Sequence, residues 1–371
     1  MSGFIVSVRA CPSYEPHEVE RALAAIFGDL GGIGNFAKPG RTVLVKPNLL
    51  AGDPPERAVT THPEVVRAMT AALRGAGAAV LVGDSPGIGS CRGVAEKTGV
   101  GQAARAAGGE VAPFDRVTFI SGSRRRFEVA VEVARADLVV NLPKLKTHGM
   151  MTISGAVKNL LGCMVGLRKP GCHLECQGTR DFAALLLDLS EAVASGLTVM
   201  DGILAMDGPG PRHGRARHAG LLLGATDPLA LDFVLADITG IPAADVPHLR
   251  LAIERGLPQA DPANRRIAGD AALRIEDFQP PPRLRSSDFS VPGFLLGFAR
   301  NNLTARPAVR KTCTDCGICR TVCPAGAVTG GRGRAGIDLG KCIRCYCCEE
   351  MCPRGAIELR RGLLGRLWPW G

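Results

Sequence analysis

Short apolar runs punctuate the first 283 residues, and each gives way to Gly, Pro, Asn or Asp. "FIVSV" (4–8), "TVLVK" (42–46), "AVLVG" (79–83), "DLVVNL" (137–142), "LTVMD" (197–201) and "AGLLLG" (219–224) predict strands. Between them the apolar positions recur with helical spacing. "PHEVERALAAIFGDL" starts at Pro16 and aligns Val19, Leu23 and Ile26. "HPEVVRAMTAALRGAG" has Pro63 near a first turn and Gly75 and Gly77 at its end. "TRDFAALLLDLSEAVASG" places Phe182, Leu186, Leu189 and Val193 on one stripe. Strands alternating with helices imply crossover connections. The expected fold is α/β, a mostly parallel sheet covered by helices on both faces.

The pattern changes after residue 283. "QPPPRLRSSDFSVPGFLLGFARNNLTARPAVRK" (279–311) is rich in Pro, Ser and Arg and reads as a linker. The expected organisation is an α/β domain over 1–283, a linker over 284–310, a small α+β dicluster ferredoxin-like domain over 311–360 and a tail over 361–371. Two domains suit a chain of 371 residues. Trp368 and Trp370 in the tail are expected to dock on the chain's own surface.

The small domain is an internal repeat. "CTDCGICRTVCPAGAV" (313–328) aligns with "CIRCYCCEEMCPRGAI" (342–357) at four cysteines, a proline and the following Gly-Ala. Each copy reads C-x2-C-x2-C-x3-C-P. Three closely spaced thiolates wrap one corner of a cubane, and the proline turns the fourth toward the neighbouring cluster. This assigns Cys313, Cys316, Cys319 and Cys352 to one [4Fe–4S] cluster, and Cys342, Cys345, Cys348 and Cys323 to the other. Zinc sites would show paired C-x2-C knuckles with a longer gap. Cys347 has no counterpart thiol in the first copy and reads as a buried residue that adjusts sulfur hydrogen bonding or polarity. Cys163, Cys172, His173 and Cys176 follow no metal-binding spacing and read as incidental loop residues, as does Cys91.

Charge and composition narrow the classes of function. Nine of the fourteen cysteines fall in the last 59 residues, a distribution suited to reduced thiols and metal ligands rather than disulfides. Two clusters with their thiolates bring the formal net charge of +10 to about +6. With only two Tyr and two Trp, the basic excess lacks the aromatic platforms of nucleic-acid binders. An acidic redox partner protein or an anionic small molecule fits better. No apolar run approaches the roughly 18 residues of a membrane span, and no export signal opens the sequence. A cytoplasmic location is expected.

Polar residues gather just after the predicted strands. Lys46 and Asn48 follow the second, and Asp84 and Ser85 the third. Asn141, Lys144, Lys146, Thr147 and His148 follow the fourth, with Lys158 and Asn159 on the next helix. Asp201 and Asp207 follow the fifth. Ligands of open parallel sheets bind outside the carboxyl ends of strands, so these residues form the candidate site. Lys46, Lys144, Lys146 and Lys158 would supply positive charge for a carboxylate or phosphate. His148, Lys144 and Lys146 are the catalytic candidates, His148 for proton transfer. Asn48, Asp84, Ser85, Asn141, Thr147, Asn159, Asp201 and Asp207 are the candidate substrate-binding residues. Asp227 and Thr61 are expected to cap helices instead. "GDSPGIGSCRG" and "GIGNFAKPG" miss the dinucleotide and P-loop spacings.

"VLVKPNLL", "GDSPG", "NLPKLKTHGMMTISGAVKNLLG", "MDGILAMDGPGP" and "GATDPLALD", followed by a twin-cubane ferredoxin with "CYCCEEMCP", resemble domain of unknown function 362 with its C-terminal ferredoxin. The resemblance covers nearly the whole chain. It implies an iron–sulfur protein of redox function and names no substrate. The favoured expectation is an oxidoreductase that passes electrons from two [4Fe–4S] clusters to an anionic substrate or cofactor at the strand ends. The alternatives are a non-catalytic electron-transfer or partner-docking module, and a redox or ligand sensor. Whether a flavin or other cofactor sits in the large domain is open at this level.

Overall fold

The computed structural model describes residues 3–176, 178–282, 304–331 and 333–360. In chain order the strands before the small domain are β1 (Phe4–Ala10), β2 (Thr42–Pro47), β3 (Ala79–Val82), β4 (Glu110–Val111), β5 (Val117–Ser121), β6 (Arg126–Ala130), β7 (Leu138–Leu142), β8 (Lys144–His148), β9 (Thr152–Ser154), β10 (Leu197–Asp207), β11 (Arg215–Ala225) and β12 (Arg265–Gly269). Ten of them form one sheet in the order β12-β1-β11-β10-β7-β2-β3-β4, with β8 beside β10 and β9 beside β8. Pairings around β7, β2, β3 and β4 are parallel. The sheet is therefore α/β and mostly parallel, with helices packed over it.

All six expected strands form, with shifted ends. β10 and β11 each run to 11 residues and pair antiparallel as a long hairpin, a mixed feature that the short apolar runs did not announce. β5 and β6 form a separate antiparallel hairpin around the arginine-rich "GSRRRFEV". Helices Pro16–Asp29 and Pro63–Gly75 pack on each other and on the sheet, while Thr179–Val193, Pro228–Thr239 and Pro247–Glu254 form a second helical layer. Val19, Leu23 and Ile26 are buried, as are Phe182, Leu186, Leu189 and Val193.

Caps follow local chemistry with one correction. Asp227 caps the helix Pro228–Thr239 by accepting from the Ala230 N–H at 2.8 Å. Thr61 does not cap a helix. Its hydroxyl donates to the Leu142 carbonyl at 2.6 Å and accepts from the Asn48 N–H at 2.8 Å, tying two strand ends together. His62 takes the cap position before Pro63, with its Nδ1 accepting from the Glu64 N–H.

In the small domain β13 (Arg306–Val309) pairs antiparallel with β16 (Ile357–Arg360), and β14 (Val328–Thr329) with β15 (Gly336–Ile337). Residues 306–309, expected within the linker, thus belong to the sheet of the cysteine repeats. The rest of the expected linker through 303, and the tail 361–371, lie outside the described residues. The two repeats share backbone as well as sequence. Asp315 and Arg344 occupy matching left-handed positions, as do Gly317 and Tyr346.

The small domain sits on the loops that follow β2 and β3. Val322, Cys347 and Met351 pack against Leu50, Ala51 and Ile88. A Cβ on Gly87 would lie 2.5 Å from the Met351 sulfur, so the Met351 side chain would have to shift to admit a larger residue. The Arg212 guanidinium donates to the Met351 carbonyl at 2.9 Å and pairs with Asp53 at 2.8 Å. Among the described residues no helix is long and apolar enough to cross a membrane.

One carboxylate anchors the helix that carries Lys158 and Asn159. Asp232, buried on the helix Pro228–Thr239, accepts from the Ala156 N–H at 2.6 Å and the Val157 N–H at 3.1 Å, and lies 3.0 Å from His248 Nε2. Asp232→Ala leaves these buried groups unsatisfied and is expected to cost roughly 2–4 kcal/mol. Urea unfolding checks this, with Asp232→Asn retaining part of the stability.

Candidate functional site

Strand β8 explains why its lysines are so deeply placed. Successive residues of a strand point to opposite faces, so Lys144, Lys146 and His148 share one face and Leu145 and Thr147 the other. All five are buried. Each buried ammonium must then find oxygen, because an unpaired one costs several kcal/mol.

Lys144 finds Asp201 and Tyr14. Its Nζ lies 2.8 Å from the Asp201 carboxylate and donates to the Tyr14 hydroxyl at 2.8 Å. That hydroxyl donates in turn to Asp201 at 2.9 Å, and the His62 N–H donates to the same carboxylate at 2.9 Å. Tyr14 stacks on the His62 ring, with centroids 3.5 Å apart. Burial pushes the Lys144 amine down from its ordinary value, and the Asp201 charge opposes that shift. Burial likewise pushes His62 down to about 4. This knot is saturated with partners.

A second network runs through asparagines. Lys146 donates to the Asn48 side-chain oxygen at 2.8 Å and to the Val59 carbonyl at 2.6 Å. Asn48 donates to Asn159 at 2.8 Å, and Asn159 to Asn141 at 2.8 Å. Asn141 closes the chain on the Ala156 carbonyl at 3.0 Å. Burial lowers Lys146 to about 7, and the nearby Lys158 charge adds to the shift. Lys46, entirely buried, pairs with Asp84 at 2.8 Å, and Asp84 also accepts from the Leu49 N–H at 2.7 Å. Gly162 makes room for that pair, since a Cβ there would fall 2.0 Å from the Asp84 carboxylate.

The asparagine network and the Lys46–Asp84 pair end at a cleft between the sheet edge and the small domain, with about 750 Å³ of space including its open mouth. Asn48, Asp84, Ser85, His148, Lys158 and Asn159 line it from the sheet side, and Val322, Cys347, Glu350 and Met351 from the second domain. His148 bridges the two. Its Nδ1 accepts from the Met150 and Met151 N–H groups, both at 3.2 Å, so the neutral ring carries its proton on Nε2, 2.9 Å from Glu350. Burial also pushes His148 down, favouring the neutral ring. Glu350 stays below the usual carboxylate range, because His148 and the Lys158 charge outweigh its burial.

Lys158 has no hydrogen-bond or ion-pair partner of its own among the described residues. Burial lowers its amine, and Glu350 resists that shift. Lys169 stands opposite, held by the Ser85 carbonyl, by the Ser85 hydroxyl at 2.9 Å and by the Pro86 carbonyl at 2.7 Å. Those contacts fix its charge without neutralising it, and burial brings it to about 8. His173, stacked on Phe182 at 4.3 Å, lines the cleft as a neutral ring, pushed down to about 4 by burial.

Several expected site residues do not reach the cleft. Lys144 and Asp201 are consumed in their knot with Tyr14. Asp207 clamps Arg215 at 3.0 Å and Arg217 at 3.3 Å, with the Gln279 N–H at 3.2 Å, and so fastens the β10–β11 hairpin. Thr147 donates to the Gly208 carbonyl at 2.9 Å. Asn141, Lys146 and Lys46 stand behind the lining residues and hold them. Lys169, His173 and Glu350 were missed as site members. They lie outside the strand-end segments, and the helix Arg168–Glu175 and the second repeat come beside the cleft only through tertiary packing. Cys91 sits at the start of the helix Cys91–Lys97, where its sulfur accepts from the Asp84 N–H at 3.5 Å.

The cysteine repeats offer both room and backbone donors for a cluster. Cys313, Cys316, Cys319 and Cys352 line a common cavity of about 380 Å³, its open side included. Backbone N–H groups point at their sulfurs, from Asp315 and Ala335 to Cys313 and from Ala356 to Cys352. In the second set the Ala327 N–H donates to Cys323 at 3.2 Å. Burial pushes the Cys348 thiol up, and the neighbouring Cys345, Cys342, Cys323 and Cys319 add to the shift. Among the described residues no three ligating side chains converge closely enough for a single metal ion. Thiols gathered around a shared space fit a cubane better than one zinc ion.

Comparison with known proteins bears on the same segments. Residues 43–237 match the family model described as domain of unknown function (DUF362), and residues 312–357 match the 4Fe-4S dicluster domain. The thylakoid-associated protein sll1697 of Synechocystis sp. is 38% identical over 294 residues, covering 78% of this chain and 92% of that protein. Among solved structures, the lactate racemase apoprotein from Thermoanaerobacterium thermosaccharolyticum aligns over 63% of this chain at 14% identity, with a TM-score of 0.42. The alignment spans 58% of that structure's length. The dicluster match makes this an iron–sulfur electron-transfer protein with [4Fe–4S] clusters. The chain belongs to the DUF362 family, in a form joined to a dicluster ferredoxin domain.

Proposed function

We propose that the chain is an oxidoreductase whose α/β domain, residues 1–283, holds an anionic ligand in the cleft while residues 311–360 deliver electrons to it. The observation that carries this reading is Lys158, which makes no ion pair among the described residues and faces a cleft that the second cysteine repeat helps to form. The assignment of Cys313, Cys316, Cys319 and Cys352 to one cluster, and of Cys342, Cys345, Cys348 and Cys323 to the other, belongs to the same proposal.

When bound, the two clusters supply one electron each, replenished by an external one-electron carrier. The chain's own residues do the rest. Lys158 and Lys169 attract and orient an anionic group, worth most where water is excluded. Leu50, Leu161, Val322 and Met351 form the apolar wall that excludes it. Ser85 and Asp84 fix the position of Lys169 and the turn behind it. For a ligand whose two-electron reduction takes up two protons, both must be supplied. Lys158 Nζ, lowered by burial, is suited to give one of them, and solvent gives the other. His148 donates from Nε2 to Glu350 and keeps that carboxylate in place across the domain boundary.

Cys316 is exposed, while every assigned ligand of the second set is half-buried or buried. Lys311, Arg320 and Arg354 are exposed near it. That face suits an acidic redox partner. A cleft that gathers Lys158, Lys169 and His148 beside an apolar wall supports an enzyme over a partner-docking module, and the second repeat lining it supports electron delivery over a remote sensor.

Native mass of the anaerobically purified protein tests the reading. The expected mass is the chain, two clusters and a retained anionic species. Lys158→Ala is expected to keep both clusters and lose that species, with at least about tenfold weaker binding. Retention of the same ligand by Lys158→Ala would remove the cleft as its site.

Lys144 separates structure from chemistry. Lys144→Met leaves Asp201 buried without its counter-charge and is expected to cost about 3–5 kcal/mol. Thermal unfolding should register that loss, while the ligand affinity of the folded fraction stays unchanged. A loss of affinity without loss of stability would return Lys144 to the site.

A further inference from the structure

The positive charge of the cleft attracts anions of any kind, but an anion taken out of water also needs hydrogen-bond donors for its oxygens. The donors that line the cleft are largely committed. Lys169 has three N–H bonds, and the Ser85 carbonyl, the Ser85 hydroxyl and the Pro86 carbonyl take them. The amide groups of Asn48 and Asn159 are turned along their network, toward Asn159 and Asn141. His148 gives its Nε2 proton to Glu350.

The turn after β3 does not fill the gap. "GDSPG" has the composition of a phosphate-cradling loop, whose main-chain N–H groups would point into the site. Here the Ser85 N–H donates to the Gly162 carbonyl at 3.1 Å and the Gly87 N–H to the Leu50 carbonyl at 2.9 Å. Pro86 between them has no N–H. Among the described residues no arginine lines the cleft, so the planar fork that suits phosphate is also missing.

Two groups keep donors to give. Lys158 faces the space and has no hydrogen-bond partner among the described residues. The Ser85 hydroxyl accepts from the Gly166 N–H and from Lys169, both at 2.9 Å, which leaves its own proton to donate. That supply matches the two oxygens of a carboxylate. A phosphate ester brings a third strong acceptor oxygen and would stay undersupplied. Beyond these donors Leu50, Leu161, Val322 and Met351 offer a second charged group nothing, and an apolar body a surface.

We propose that the cleft selects monocarboxylates with an apolar body over phosphate esters and dicarboxylates. Lys158 and the Ser85 hydroxyl receive the carboxylate, Lys169 adds charge, and the body lies on the apolar wall. This rests on the reading of the cleft as a ligand site and narrows its ligand to one class.

Isothermal titration calorimetry of the dialysed, anaerobic full chain with both clusters tests it, with benzoate, phenyl phosphate, isophthalate and acetate as probes. Benzoate is expected to bind at least about tenfold more tightly than each of the others. Lys158→Met, which keeps the bulk of the side chain without its charge, is expected to retain the iron and lose at least about tenfold in benzoate affinity. Ser85→Ala is expected to weaken benzoate while leaving the weak binding of phenyl phosphate no better. Phenyl phosphate or isophthalate binding as tightly as benzoate, with the loss in Lys158→Met, would overturn the ligand class and leave the cleft standing as the site. Acetate as tight as benzoate would overturn the apolar body, and no binding of any probe would overturn the class. Benzoate affinity unchanged in Lys158→Met would remove the cleft reading itself, and this proposal with it.

Discussion

An ammonium buried at the end of a strand must be met by oxygen, and this one requirement shapes the sheet edge. Lys46, Lys144 and Lys146 are fully enclosed. Each has recruited a different answer: Asp84 for the first, Asp201 with Tyr14 for the second, and Asn48 with a backbone carbonyl for the third. Those answers draw together loops from distant parts of the chain. Tyr14 comes from near the start, His62 from the turn before the second long helix, and Asp201 from the middle of β10. The rigidity of the cleft rests on this pairing, because its lining residues are second partners of the same networks.

The cleft exists because two surfaces of different origin meet. From the α/β side come side chains such as Asn48, Asp84 and Asn159, fixed by hydrogen bonds and an ion pair. From the ferredoxin side comes one face of the second repeat, seated on glycine at position 87 and fastened by Arg212. His148 and Glu350 face each other across that boundary. Neither domain forms the cleft alone. Lys158, lying on a short helix whose first turn is pinned by Asp232, is presented into the shared space.

The iron–sulfur module illustrates how a repeat can acquire asymmetry without altering its frame. Left-handed residues recur at equivalent positions, and the proposed ligands keep their spacing. Around that frame the residues diverge where the two runs face different surroundings. Thr321 of the first run stands where the second has Glu350, which reaches His148, and Ile318 stands where the second has Cys347. The second run is thus fitted to a cleft, and the first to an exposed face.

Much of this protein was legible in the order of its residues. Short buried-strand runs and helical stripes specified an α/β fold, because hydrophobic periodicity is a local consequence of backbone geometry. Two C-x2-C-x2-C-x3-C-P runs specified a dicluster module, because a cubane demands that spacing. The strand-end position of Asn48, Asp84, Ser85, His148, Lys158 and Asn159 was legible for the same topological reason. Sequence alone did not reveal which lysines would be neutralised. Lys144 and Lys158 look alike in the chain, yet one lies beside Asp201 and the other makes no ion pair among the described residues, since partners 57 residues apart are chosen by sheet register. Nor could it place Lys169, His173 and Glu350 at the cleft, because their approach depends on how a helix and a whole domain pack. Local patterns determined the elements and the cofactor; the distances between charges, and hence the site, were decided by tertiary structure.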